Sequence, residues 1–147
     1  MDTLLRRLWK IEFEGRIFVS FTVSCSFCID MNAKDFKGKG VTDEEIRALK
    51  GAVPFDDVPT LSLREKAALR YVECICHTPL AFTPEAIGAM REQFSERGMV
   101  IVSSTAAQVN FWARLIQSLG VPPAGFSADC RILDLEAHAT AGIRRDA

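Results

Sequence analysis

Two cysteines, Cys25 and Cys28, are separated by only two residues, a spacing that can support chemistry. At the start of a helix this spacing brings both sulfurs within disulfide reach, and the unpaired N–H groups there favour a thiolate on the first cysteine. A thiolate attacks a peroxide or a disulfide, and the second cysteine resolves the intermediate. The pair indicates a redox dithiol, with Ser24 as the expected N-cap of a helix that begins at Cys25. An inert pair and half of a zinc site remain as alternatives.

The other cysteines give no comparable pattern. The chain has five in all, and an odd number argues against a structural disulfide framework. Cys74 and Cys76, two residues apart on a predicted helix, point in different directions and cannot bind one ion together. His77 ends that helix, while Cys130 and His138 lie in a weakly patterned tail. Because no second C-x-x-C and no C-x-x-C…H-x-x-x-H is present, we expect neither a metal nor a cofactor.

Composition narrows the class of protein. A chain of 147 residues suits one domain, and 48% hydrophobic with 25% charged residues is typical of a soluble globular protein. The net charge of −1 leaves no basic excess for nucleic acid. The apolar runs fall far short of the roughly 20 residues needed to cross a bilayer, and no signal-peptide pattern follows the first basic residues. We therefore expect a cytoplasmic protein with no nucleic-acid or membrane partner.

Helix-capping signals define most of the elements that must position the dithiol. Thr42 with Glu45 and Ser62 with Glu65 each form the pattern of a capping box. A threonine before Pro84 and a serine before a long apolar stretch mark two further helix starts. The predicted helices span residues 43–50, 63–77, 84–94 and 96–119.

The predicted long helix, residues 96–119, is apolar over most of its circumference. Met99, Val102 and Ala106 follow the helical period, and further large apolar residues widen the stripe. One small chain has too little surface to cover such a helix. We therefore expect a homo-oligomer, in which Ser104 and neighbouring small residues would allow a second helix to approach closely.

The flanking regions are less clearly patterned. Residues 16–23 have the propensity of a strand, but no second strand candidate exists, so we favour a helix over a strand paired between chains. Residues 34–40 indicate a loop or a frayed helix end. We interpret the chain as one helical domain, residues 1–147, whose tail, residues 121–147, is expected to be partly disordered.

Three segments, in the same order along the chain, resemble one known superfamily. The sequence CSFCIDMN at 25–32 resembles the core motif of the carboxymuconolactone decarboxylase and alkylhydroperoxidase D-like superfamily. LSLREKAAL at 61–69 and AQVNFWAR at 107–114 resemble its later helices, so the similarity covers about residues 12–120. The resemblance implies an all-α, single-domain helical bundle, a homo-oligomer and dithiol redox activity.

The resemblance also implies roles for single residues. Cys28 would meet the peroxide, and Cys25 would exchange with the reductant. The peroxidase-like members carry a histidine where this chain has Asn32, whose amide cannot shuttle a proton. Asp30 or Glu14 could replace it, although Glu14 does not fall on the spacing expected for the family glutamate. We expect a slow enzyme for this reason.

Three functions follow from these observations. The first is a thiol-dependent peroxidase or disulfide oxidoreductase with antioxidant activity, which takes a small-molecule peroxide or disulfide and an unidentified thiol reductant. The second is a non-enzymatic helical oligomer with a vestigial dithiol. The third, a carboxymuconolactone decarboxylase-like lyase, is disfavoured because the chain shows no convergent His/Glu/Arg set for an acidic lactone.

Overall fold

A computed structural model describes the backbone of residues 3–139 and the side chains of residues 8–138. In this part of the chain there are seven α-helices, two short 3-10 helices and no strand, which confirms the predicted all-α, single-domain bundle. The α-helices are α1 (Thr3–Thr22), α2 (Ser26–Asn32), α3 (Asp43–Leu49), α4 (Leu63–Cys76), α5 (Pro84–Gln93), α6 (Glu96–Ser118) and α7 (Leu135–Ala139). The 3-10 helices span Phe55–Asp57 and Arg131–Leu133.

The predicted caps begin the helices as expected. At α3 the Thr42 hydroxyl accepts the Glu45 N–H at 3.1 Å, and the Glu45 carboxylate accepts the Thr42 N–H at 2.7 Å. Ser62 and Glu65 form the same reciprocal pair at α4. Single side-chain caps begin α5 and α6, from Thr83 and Ser95. These starts were predictable because each cap is a contact between residues three apart in the sequence.

The segment with strand propensity is helical, because α1 continues as far as Thr22. Ile17 and Val19 are fully buried in the main core, where α1 packs between α4 and α6. The hydroxyls of Ser20 and Thr22 donate to carbonyls one turn earlier in the same helix. Burial against two helices outweighs a propensity difference that is usually below 1 kcal/mol per residue.

Helix α6 is buried on one side only. Val102, Ala106 and Ala113 pack inward, whereas Phe111 and Leu119 are 60% and 70% exposed. The outward surface between Gly98 and Ala113 carries no charged residue. This is the apolar face for which a second copy of the chain was expected.

The tail packs against the helical bundle within its described part, residues 121–139, and partial disorder within residues 121–147 stays a prediction. Leu133 is fully buried in the main core, and the Lys50 ammonium donates to the Ile132 carbonyl at 3.1 Å. These contacts join the tail to α3. The remainder of the tail, residues 140–147, lies outside the described residues.

Candidate redox site

The dithiol lies at the sharp turn from α1 into α2. Ser24 is not the N-cap that the sequence predicted, since its φ of 51° places it in the left-handed turn before the helix. Cys25 is the N-cap, and its Sγ accepts the backbone N–H of Cys28 at 3.3 Å. The Sγ atoms of Cys25 and Cys28 lie within bonding distance, and their Cα atoms are 5.2 Å apart, inside the usual disulfide range. The turn therefore brings the two sulfurs together as the spacing predicted.

Apolar side chains surround the dithiol. Cys25 and Cys28 are 0% and 1% exposed, and they form a small cluster with Ala113 of α6 that is separate from the main core. Val23, Phe27 and Ile116 complete the enclosure. Among the described residues, no titratable side chain donates a hydrogen bond to either sulfur. The site can hold a disulfide, but among the described side chains no titratable group is hydrogen-bonded to either sulfur.

Asp30, expected as a replacement base, binds the loop after α6 with its carboxylate. Its buried carboxylate accepts backbone N–H groups from four consecutive residues, Ala124 to Ser127, at 2.7–3.1 Å. The Ser127 hydroxyl also donates to the Asp30 carbonyl at 2.8 Å. These bonds tie the loop after α6 to the dithiol helix, and they occupy the lone pairs that a base would need.

Asn32, where the resemblance implies a histidine, connects two helices. Its amide Nδ2 donates to the Ser20 hydroxyl at 3.0 Å, and Ser20 in turn donates to the Arg16 carbonyl at 2.7 Å. The bond fixes the end of α2 against α1. It involves neither cysteine.

Glu14, the other expected relay residue, lies in a separate buried charge cluster. The Lys10 ammonium contacts carboxylate oxygens of Glu14, Glu45 and Glu65 at 2.9, 3.1 and 2.9 Å. Burial, followed by the charge of Glu65, raises the pKa of Glu14 to about 8, although Lys10 acts in the opposite direction. No hydrogen bond joins this cluster to the dithiol among the residues with described side chains. The structure thus brings together Cys25 and Cys28, and it places Glu14 in a different network.

Sequence reasoning missed this charge cluster although its parts were visible. Lys10 and Glu14 stand four residues apart on one helix, which is the spacing of an ion pair. Glu45 and Glu65 were identified only as the acidic partners of two capping boxes. Their meeting around one ammonium depends on how α3 and α4 pack against α1, and no local pattern encodes that.

The other cysteines do not join the site. The Cys74 thiol donates to the Arg70 carbonyl, and burial raises the pKa of the Cys76 thiol, which accepts from Asn110. His138 lies against the ring of Phe21, and burial lowers its pKa.

The described part of the chain also shows no sign of a metal site. Within the described side chains, no group of histidine, cysteine and acidic residues could hold a metal ion. None of the described helices has the length and apolar content needed to cross a membrane.

Comparison with known proteins supports the same fold. A solved structure from Agrobacterium tumefaciens, a protein of unknown function provisionally described as the antioxidant defence protein AhpD, matches with a TM-score of 0.70. The match covers 78% of this chain and 77% of that one, at 19% identity. The chain therefore has the alkylhydroperoxidase D-like fold, as the resemblance implied. No family model matches the sequence.

A relative is also found at the level of sequence. The uncharacterized protein YdfG of Bacillus subtilis (strain 168) is 31% identical over 106 residues, which cover 71% of this chain and 70% of YdfG. The chain belongs to the YdfG family.

Proposed function

We propose that this YdfG-family protein is a thiol-dependent peroxidase or disulfide oxidoreductase whose redox centre is Cys25 and Cys28. The observation that carries the proposal is the meeting of both sulfurs at the start of α2, with the Cys28 N–H donated to the Cys25 sulfur. A hydrogen bond from a backbone N–H is stronger to a thiolate than to a thiol. Cys25 is therefore the better nucleophile of the two, whereas the resemblance assigns the peroxide to Cys28.

The proposed cycle oxidises the dithiol with a hydroperoxide and then reduces it again. The Cys25 thiolate attacks the terminal oxygen of a hydroperoxide, the O–O bond breaks, and the alkoxide leaves as an alcohol after taking up a proton. The Cys28 thiol then attacks the resulting sulfenic acid, forming the disulfide and releasing water. A dithiol reductant returns two electrons and two protons and is itself oxidised to a disulfide. A disulfide substrate would enter by the same attack of Cys25 on sulfur.

We expect proton transfer to be the slow step of the cycle. Asp30 is held by four N–H groups, Asn32 is bonded to Ser20, and Glu14 lies in the Lys10 cluster. Protons would then come from solvent. General acid–base help is typically worth about 10²–10⁴-fold, so we expect peroxide reduction to be slow by that order.

The test combines thiol counting with turnover. The fully reduced protein should titrate five thiols, and a stoichiometric peroxide pulse should remove two of them. Replacing Cys25 or Cys28 by serine should abolish turnover with a dithiol reductant, and Cys74→Ser is the matched control that should retain it. A sulfenic-acid trap in the Cys28→Ser protein should label Cys25. No loss of thiols on exposure to peroxide would contradict the proposal.

The second candidate is a non-enzymatic helical oligomer in which the dithiol only stabilises the fold. The observation that favours it is the burial of both sulfurs in an apolar cluster, with no titratable side chain hydrogen-bonded to them in the part of the chain whose side chains are described. In that case reduction of the pair should lower the free energy of unfolding by at most about 2 kcal/mol, because the disulfide closes a very short loop, while peroxide is not consumed. Unfolding of the oxidised and reduced protein in urea, beside the turnover assay, separates the two functions.

A further inference from the structure

We infer that residues 113–127, the last turns of α6 and the loop after it, form a cover over the dithiol that opens at its Gln117 end and stays attached at Asp30. This inference deepens the proposed function, because it concerns access to the same two sulfurs. The segment is called the cover below. It contacts the dithiol turn on both sides, before Cys25 and after Cys28.

The cover seals the dithiol in the structure. Ala113 is fully buried against Cys25 and Cys28, and Ile116 packs beside them. A thiolate must approach a disulfide sulfur directly in order to react with it, and sulfurs that are 0% and 1% exposed cannot be approached in this way. Exchange with a thiol reductant therefore requires the cover to move.

Few apolar residues are buried between the cover and the dithiol turn. The dithiol cluster contains three buried residues and is separate from the main core. The methyl group of Ala113 contributes little apolar area to this cluster. Segments with few buried apolar contacts are those that open locally without global unfolding.

The hydrogen bonds that attach the cover differ in strength. At one end, Gln117 Nε2 donates a single neutral hydrogen bond to the Val23 carbonyl at 3.2 Å. At the other end, the Asp30 carboxylate accepts four N–H groups, from Ala124 to Ser127. Hydrogen bonds to an ionised group are roughly twice as strong as neutral ones, so the single Gln117 bond breaks first. The surface bond from Arg114 to Thr78 at 2.9 Å is solvent-exposed and competes with water.

The proposal is tested by the rate at which iodoacetamide labels each cysteine of the reduced protein, read by peptide mass spectrometry. Gln117→Ala should speed the labelling of Cys25 and Cys28 by about 3- to 10-fold, as expected for loss of one neutral hydrogen bond. Gln108→Ala, an exposed glutamine on the same helix, is the matched control and should change neither rate. Labelling of half-buried Cys130 serves as the internal reference in every sample.

Two readouts separate access from ionisation and from stability. The pH at which Cys25 labelling reaches half of its plateau should be the same in wild type and Gln117→Ala, because only access changes. Hydrogen exchange should accelerate in residues 113–119 of Gln117→Ala and remain unchanged in α4. A general acceleration across the protein would show lost stability instead of an opened cover, and would overturn the inference.

The experiments distinguish a wrong inference about the cover from a wrong proposal about the redox function. If wild-type Cys25 is labelled as fast as Cys130, or if both glutamine variants behave alike, the cover is refuted whatever the turnover. If Gln117→Ala exposes the dithiol as expected but peroxide is never consumed, the cover stands and the proposed redox function fails.

Discussion

The buried charge cluster around Lys10 predicts that Glu14→Gln makes the protein more stable at alkaline pH. The pKa of Glu14 is raised from 4.5 to about 8, chiefly by burial and then by the charge of Glu65. The folded protein therefore holds this proton more tightly than the unfolded chain. The associated stability is fully present below about pH 4.5 and is lost as the pH rises through 8.

The magnitude follows from the two pKa values. The difference between 4.5 and 8, at 1.36 kcal/mol for each pKa unit, corresponds to about 4–5 kcal/mol of unfolding free energy lost between acid and alkaline pH. Glutamine resembles the protonated acid, so the variant should match wild type within about 1 kcal/mol near pH 5. At about pH 9 it should exceed wild type by several kcal/mol.

The assay is urea unfolding followed by circular dichroism, at intervals between about pH 5 and pH 9. This window lies above the titration of Glu65, because hydrogen bonds from Ser62 and Lys10 outweigh burial and lower the pKa of that carboxyl. Burial alone would lower the pKa of Lys10, but the neighbouring carboxylates raise it, so the ammonium stays charged. Glu12→Gln on the same helix is the matched control. Parallel stability curves for wild type and Glu14→Gln would refute the reasoning.

Three further predictions follow from the site and from α6. Asp30→Ala should lower the free energy of unfolding by about 2–4 kcal/mol in urea, since four N–H groups lose their acceptor, and undiminished stability would contradict its anchoring role. Asn32→His should raise peroxide consumption by tens-fold or more, with a pH dependence near the histidine pKa, whereas an unchanged rate would show that another group moves the proton. Wild type should sediment as an oligomer at micromolar concentration and Phe111→Lys as a smaller species, while a monomeric wild type would exclude the expected contact along α6.

The sequence alone predicted those features that depend on residues close together in the chain. The Thr42–Glu45 and Ser62–Glu65 boxes each join residues three apart, and Cys25 and Cys28 meet because one turn holds them. Helix starts, the all-α class and the position of the dithiol were predictable for this reason. The N-cap was misplaced by one residue, because the left-handed conformation of Ser24 belongs to the α1–α2 turn and has no local signal.

Tertiary structure alone decided the surroundings of these residues. Residues 16–22 are helical because α4 and α6 bury Ile17 and Val19. Asp30 became an anchor only when a loop more than ninety residues later presented its N–H groups. Burial, charge clustering and the closing of the dithiol by Ala113 all depend on contacts between distant segments, whose free energies are not encoded in the spacing of neighbouring residues.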